Sequence, residues 1–222
     1  ATPAFHTYFV VDLAGDPKML GNLQEAFKGL GDTLNTADVY QFGKFSLITY
    51  NGDAQIAVPS CKPRMFQVPD LVPHAGDTRS LGSAYQLLTE QRQREVKPDD
   101  FGAMVFTLLN GPPSDDWEQS ANRVKELFGQ NSIMIDQSGE VDSKLLKKAT
   151  EYRDVLEIKG TKPKDYQNLI KEIGSWVEQT STHYSRIGHS IQAEQQGTPT
   201  PLVPTLSLSS DILAPKVEQD FK

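Results

Sequence analysis

The chain has 222 residues, 37% hydrophobic and 23% charged, which suits one domain, or one domain with a tail, and excludes a large multidomain assembly. Twenty-two basic against 29 acidic residues give a net charge of −7, the wrong sign for holding nucleic acid by bulk charge. One cysteine, Cys61, excludes an internal disulfide and a multi-cysteine zinc site, and no run approaches the roughly 18 apolar residues of a membrane helix. The expectation is therefore a cytoplasmic chain without nucleic-acid or membrane partners.

The first element is the apolar run from His6 to Leu13, where Tyr8, Phe9, Val10 and Val11 lead to Asp12. It reads as a strand covered on both faces. Gly15 and Pro17 break it, and Leu20, Leu23, Phe27 and Leu30 recur at helical spacing, with Pro17 suited to the first turn. Residues 45–50 and 55–58 are short strand-like runs joined by Asn51, Gly52 and Asp53, which predicts an antiparallel hairpin at a sheet edge. Pro59, Pro63, Pro69 and Pro73 follow, then a loop from His74 to Ser80. A helix carrying Leu81, Ala84, Tyr85 and Leu88 comes next, its polar face bearing Glu90, Arg92 and Arg94.

Phe101 to Leu109 is a second wholly apolar run, stopped by Asn110, Gly111, Pro112 and Pro113. A third helix follows on Trp117, Ala121, Val124 and Phe128. Residues 132–135 and 155–158 read as further strands, with a short helix at Leu145 and Leu146 between them. Tyr166, Leu169, Ile170, Ile173 and Val177 mark a last long helix. This alternation predicts an α/β fold: a doubly wound, mostly parallel central sheet with helices on both faces and one antiparallel edge hairpin. The strands ending at Leu13 and Leu109 are expected side by side in its middle, because both are apolar throughout.

The domain is placed at residues 1–182. From His183 to Lys222 no apolar stripe persists among Pro, Ser, Thr and Gln, so 183–222 reads as a tail or wrapping arm. The segment from Gly197 onward is expected to be dispensable for folding unless Leu202, Val203, Leu206 and Leu208 dock on the domain. Ser207, Ser209 and Ser210 are candidate phosphorylation sites in it.

In an open α/β sheet the ligand site lies beyond the carboxyl ends of the strands. That directs attention to three loops: Asp12 to Asp16, Gly76 to Gly82, and Asn110 to Asp116. Several chemistries fail on residue type. A phosphoryl-transfer aspartate needs a second aspartate two residues on, where Ala14 stands. His6, His74, His183 and His189 share no ligand spacing. There is no glycine-rich phosphate loop with its lysine, and Cys61 has no histidine near it in sequence. Asp115 and Asp116 precede the third helix, where capping explains them.

The loops carry a family resemblance in three segments: Phe9-Val10-Val11-Asp12-Leu13-Ala14-Gly15-Asp16, Ser80-Leu81-Gly82-Ser83-Ala84, and the run from Val105 to Trp117 through Asn110-Gly111-Pro112-Pro113-Ser114-Asp115-Asp116. The chain resembles a von Willebrand factor A (vWA) domain over residues 6 to 180, closest to the bacterial TerY-like group associated with tellurite resistance and stress operons. The resemblance implies a metal-ion-dependent adhesion site, with Asp-x-Ser-x-Ser in the first loop, Thr in the second and Asp-Gly in the third. Oxygens of that kind suit Mg²⁺.

Against that pattern Asp12 keeps the first carboxylate, Ala14 offers no oxygen and Asp16 replaces the second serine. Asn110 replaces the third-loop aspartate. Arg79 stands where the threonine belongs, with Thr78 one residue away. The pseudo-metal site is thus Asp12, Asp16, Thr78 and Asn110, with Mg²⁺ weak or lost. The alternative without metal is a salt-bridged cluster of Asp12, Asp16 and Arg79. Ala14, Arg79, Ser80, Ser114 and Asp115 form the expected partner-binding loop face.

The function implied is a non-enzymatic protein-binding or scaffolding module in a bacterial stress-response phosphorylation-signalling assembly, its partners a kinase and a phosphatase of the same operon. Two other readings remain open. One is a metal-dependent, phosphatase-like hydrolase using Asp12 and Asp16, which lacks a positioned base or nucleophile. The other is a structural subunit whose loop face is buried in a larger complex.

Overall fold

The computed structural model describes residues 2–34, 37–150, 155–198 and 213–216. Strands β1 (Phe5–Asp12), β2 (Gly43–Tyr50), β3 (Ala54–Cys61), β4 (Gly102–Leu109), β5 (Ser132–Asp136), β6 (Leu156–Ile158) and β7 (Leu213–Pro215) form one sheet in the order β3-β2-β1-β4-β5-β6-β7. The strands from β2 to β6 in that order pair in parallel, and β3 and β7 add antiparallel at the two edges. β1 lies between β2 and β4, both parallel to it, as the continuous apolar runs require.

The pleat divides each run between two cores. Phe9 and Val11 face a cluster with Leu20, Leu23 and Phe27 of helix α1 (Pro17–Phe27) and Ile173, Trp176 and Val177 of a long helix described below. Tyr8 and Val10 face the opposite cluster. Its partners are Leu81, Tyr85 and Leu88 of helix α4 (Leu81–Glu95) and Ala121, Val124 and Phe128 of helix α5 (Glu118–Phe128). Phe9 meets Phe27 edge-on and stacks on Phe45 and Phe106, so one aromatic residue ties three strands to a helix.

Where the sequence suggests one helix ending near Leu30, the chain breaks after Phe27 into two short helices, α2 (Leu30–Thr33) and α3 (Ala37–Phe42). Gly29 and Gly31 are weak helix formers at that break. The short helix α6 (Ser143–Leu146) follows β5.

Helix α7 (Pro163–Arg186) runs beyond the last sequence-visible apolar residue, Val177. The extension buries polar residues that find partners in the helix or beside it: the Ser181 hydroxyl donates to the Val177 carbonyl at 2.6 Å, and the amide of Asn131, in the turn before β5, donates to the Tyr184 hydroxyl at 2.9 Å. Polar residues at helical spacing hide such a face from a hydropathy reading.

The stretch from His183 therefore does not begin as a tail. After α7 the chain makes helix α8 (Ile191–Gln195), and the backbone N–H groups of Ile191 and Gln192 donate to the Asp100 and Pro98 carbonyls. Leu213 in β7 is buried in the α1/α7 core. The expectations placed on Leu202, Val203, Leu206, Leu208, Ser207, Ser209 and Ser210 lie outside the described residues. Among those described, no helix is long and apolar enough to cross a membrane.

Candidate functional site

The ends of β1 and β4 bring two of the three loops together directly. Asp12 is fully buried at the last position of β1, and Asn110, 4% exposed, follows β4. One Asp12 oxygen accepts from the Ala14 backbone N–H at 2.8 Å, and the other from the Asn110 backbone N–H at 3.2 Å. The third loop enters through Arg79, whose Nε donates to that second oxygen at 3.1 Å, forming an ion pair. Burial pushes the Asp12 carboxyl up to about 6, against the opposing pull of the Ala14 N–H, the Arg79 charge and the Asn110 N–H. The neighbouring Tyr50 hydroxyl is buried without a partner among the described residues. Burial first, and then the Asp12 charge, push it well above its ordinary value.

Two glycines make room for this arrangement. A Cβ on Gly111 would lie 2.5 Å from the Arg79 guanidinium carbon, so the guanidinium rests against bare backbone. Gly15 has φ +125°, and a Cβ there would lie 2.7 Å from the Asn110 side-chain nitrogen. Both polar atoms of the Asn110 side chain are buried and unpartnered among the described residues.

Arg79 is held from its backbone as well. Its N–H donates to the Ser114 hydroxyl at 2.7 Å, and the Ser114 N–H returns a bond to the Arg79 carbonyl at 2.9 Å. Ser80, buried at the start of α4, donates its backbone N–H to the Asn51 carbonyl at 2.6 Å. Asp115 reaches across to α4, accepting the Gly82 and Ser83 N–H groups at 3.1 Å each. It thus caps α4 and not α5, the helix that follows it in sequence; α5 starts at Trp117 with no side-chain cap.

The structure brings Asp12, Ala14, Arg79, Asn110 and Ser114 together. Two other residues of the expected set are occupied elsewhere. Asp16 is exposed and accepts the Lys18 N–H at 2.9 Å, capping α1 ahead of Pro17. Thr78 is exposed and lies against Gly52 of the hairpin turn. The cluster without metal is therefore the Asp12–Arg79 pair alone. Among the described residues no group of His, Cys, Asp and Glu is assembled that could hold a metal ion.

A second buried carboxylate at the same edge of the sheet escaped the sequence reading. Asp136 ends β5 fully buried, accepts the Ser138, Gly139 and Val141 N–H groups and ion-pairs with Lys216. Its signal was available, because like Asp12 it is a carboxylate closing an apolar run. Its cation comes from the far end of the chain and was not.

No family model and no curated protein matches this sequence. Solved structures do match the architecture. A von Willebrand factor type A protein from Catenulispora acidiphila superposes with a TM-score of 0.63 at 13% identity, over 80% of this chain and 43% of that one. This chain has the von Willebrand factor A fold. Proximal thread matrix protein 1 from the mussel byssus, in a structure with a zinc occupied MIDAS motif, matches the same vWA fold. Its TM-score is 0.50 at 14% identity, over 78% of this chain and 46% of its own. The PilB minor pilin from Streptococcus sanguinis matches with a TM-score of 0.54 at 11% identity, over 80% of this chain and 62% of that one. The chain spans less than half the length of the Catenulispora and mussel proteins.

Proposed function

We propose that this chain is a non-enzymatic protein-binding or scaffolding module that meets its partner through the loop face around Arg79, Ser80, Ser114 and Asp115. Arg79 there supplies the positive charge that a metal ion supplies in an intact adhesion site. The reading rests on the ion pair between Arg79 and the buried Asp12. Both Asp12 oxygens already accept protein N–H groups, Ala14 adds no oxygen, Asn110 carries no charge and Asp16 is engaged at the α1 cap. A Mg²⁺ ion demands near-octahedral oxygen ligands, and these residues do not fit it. A guanidinium stays charged and satisfies a carboxylate without any such geometry. Mg²⁺ affinity is accordingly weak or lost.

The resemblance to the TerY-like group supplies the context: a cytoplasmic, bacterial stress-response assembly with a kinase and a phosphatase as partners. The test is affinity capture from the native cell, in chelator, with wild type, with Arg79→Glu, and with Gln67→Ala, an exposed residue outside the three loops, as the control variant. A partner retained in chelator by wild type and by Gln67→Ala, and lost with Arg79→Glu, supports the reading. A partner released by chelator, or indifferent to Arg79→Glu, contradicts it.

A further inference from the structure

At the amino ends of the strands, opposite the loop face, helix α8 closes on the turn that leads into β4. Its docking bonds run from the Ile191 and Gln192 backbone N–H groups to the Asp100 and Pro98 carbonyls, at 3.0 and 2.9 Å. No residue of α8 is buried, so the helix has no apolar anchor and depends on polar contacts. An element held in that way opens at low cost.

The side chain at the joint between α7 and α8 is His189, 5% exposed, its ring 4.9 Å from the ring of Tyr184. Its Nδ1 lies 2.8 Å from the Phe101 carbonyl, and a carbonyl only accepts, so Nδ1 carries a proton. In a neutral ring Nε2 then presents a bare lone pair. That atom is buried, has no hydrogen-bond partner among the described residues, and faces the Glu194 carboxylate of α8 at 3.4 Å. A lone pair and a carboxylate repel each other. A proton on Nε2 turns the same contact into an ion pair that ties α8 to the end of α7.

The other charges around the ring are engaged elsewhere or lie in solvent. Helix α7 brings Tyr184, with His183 against it, and the exposed Arg186. The turn before β4 brings the exposed Lys97 and Asp99, and Asp100, whose carboxylate accepts the Ala4 and Lys97 backbone N–H groups and faces His6 Nε2. Helix α4 brings Arg92, which lies over the Phe128 ring and is acted on by the Glu194 charge, so a second cation helps keep Glu194 ionised.

We propose that α8 is a pH-operated latch, closed when His189 is an imidazolium paired with Glu194 and released as that proton is lost. Docking takes up a proton, so α8 is held at the acid end of the range of about pH 5 to 8 in which histidine changes charge, and let go toward the alkaline end. None of these residues belongs to the loop face, so this inference stands or falls separately from the function proposed above.

The experiment is amide hydrogen exchange of the full chain from pH 5 to pH 8, corrected for the intrinsic pH dependence of exchange. The expected result is that protection of the Ile191 and Gln192 amides falls about tenfold across that range with no matching change in β1, and that both ring nitrogens of His189 carry protons at pH 5 by their nitrogen chemical shifts. The surface variant Glu194→Gln should show low protection at these two amides at every pH. Protection that is flat in wild type, a fall shared with β1, an equal fall in Glu194→Gln, or an unprotonated Nε2 at pH 5 each overturns the latch.

Discussion

Asp12 carries its charge at a cost, because burial opposes the ionised form more strongly than its three donors favour it. Its carboxyl rises from 3.8 to about 6 on folding, so the folded state binds the proton more tightly. The stability contributed by this group is fully present below pH 3.8 and is lost as pH rises through about 6, a change of about 3 kcal/mol. Asp12→Asn should therefore flatten the decline of stability across that window, as measured by urea denaturation at a series of pH values. An unchanged pH profile would show that Asp12 is not the titrating group. Gly15 offers a steric test of the same corner. Gly15→Ala meets both a positive φ and the Asn110 side chain, and should cost about 1–3 kcal/mol by the same denaturation measurement. The residues of this corner differ in how legible they are from sequence. Asp12, Asn110 and Arg79 stand at loop positions that the strand pattern marks. The side chains of Asp16 and Thr78 look equally available in sequence, and only the loop geometry sends one to a helix cap and the other to a hairpin turn.

At the level of elements, the strand and helix order is readable because the two central strands are largely apolar and the helices repeat their apolar residues at helical spacing. Polar burial is not readable in that way. Thr180, Ser181 and Tyr184 extend α7 past Val177, and Asp115 caps a helix more than thirty residues back in sequence, with its own helix left uncapped. Asp115→Ala should cost about 1 kcal/mol and raise amide exchange in the first turn of α4, leaving α5 unchanged. The same blindness applies to β7, a three-residue strand whose burial depends on an edge that sequence does not display. Lys216→Met leaves the carboxylate of Asp136 buried without its cation and should cost about 3 kcal/mol, seen as a lowered melting temperature. Truncation before Leu213 should lower it at least as far, since the edge pairing with β6 goes as well. An unaltered melting temperature in both variants would show that β7 contributes nothing to the fold.

For the molecule as a whole, the sheet separates two faces with different chemistry. The carboxyl ends of the strands hold a buried carboxylate closed by an arginine, and the amino ends hold a cleft of mixed charge beside the buried His6–Asp100 pair. The vWA fold positions both, and on the function proposed here Ala14, Arg79 and Asn110 decide what the loop face can do. The central claim is that Arg79 has taken the place of a metal ion there. Its most direct test is calorimetric titration with Mg²⁺ of the wild-type chain and of the triple variant Ala14→Ser/Asn110→Asp/Arg79→Thr, which restores the oxygens and removes the competing cation. The account predicts no saturable heat for wild type at millimolar Mg²⁺ and saturable binding by the variant; tight binding by wild type, or none by the variant, would contradict it.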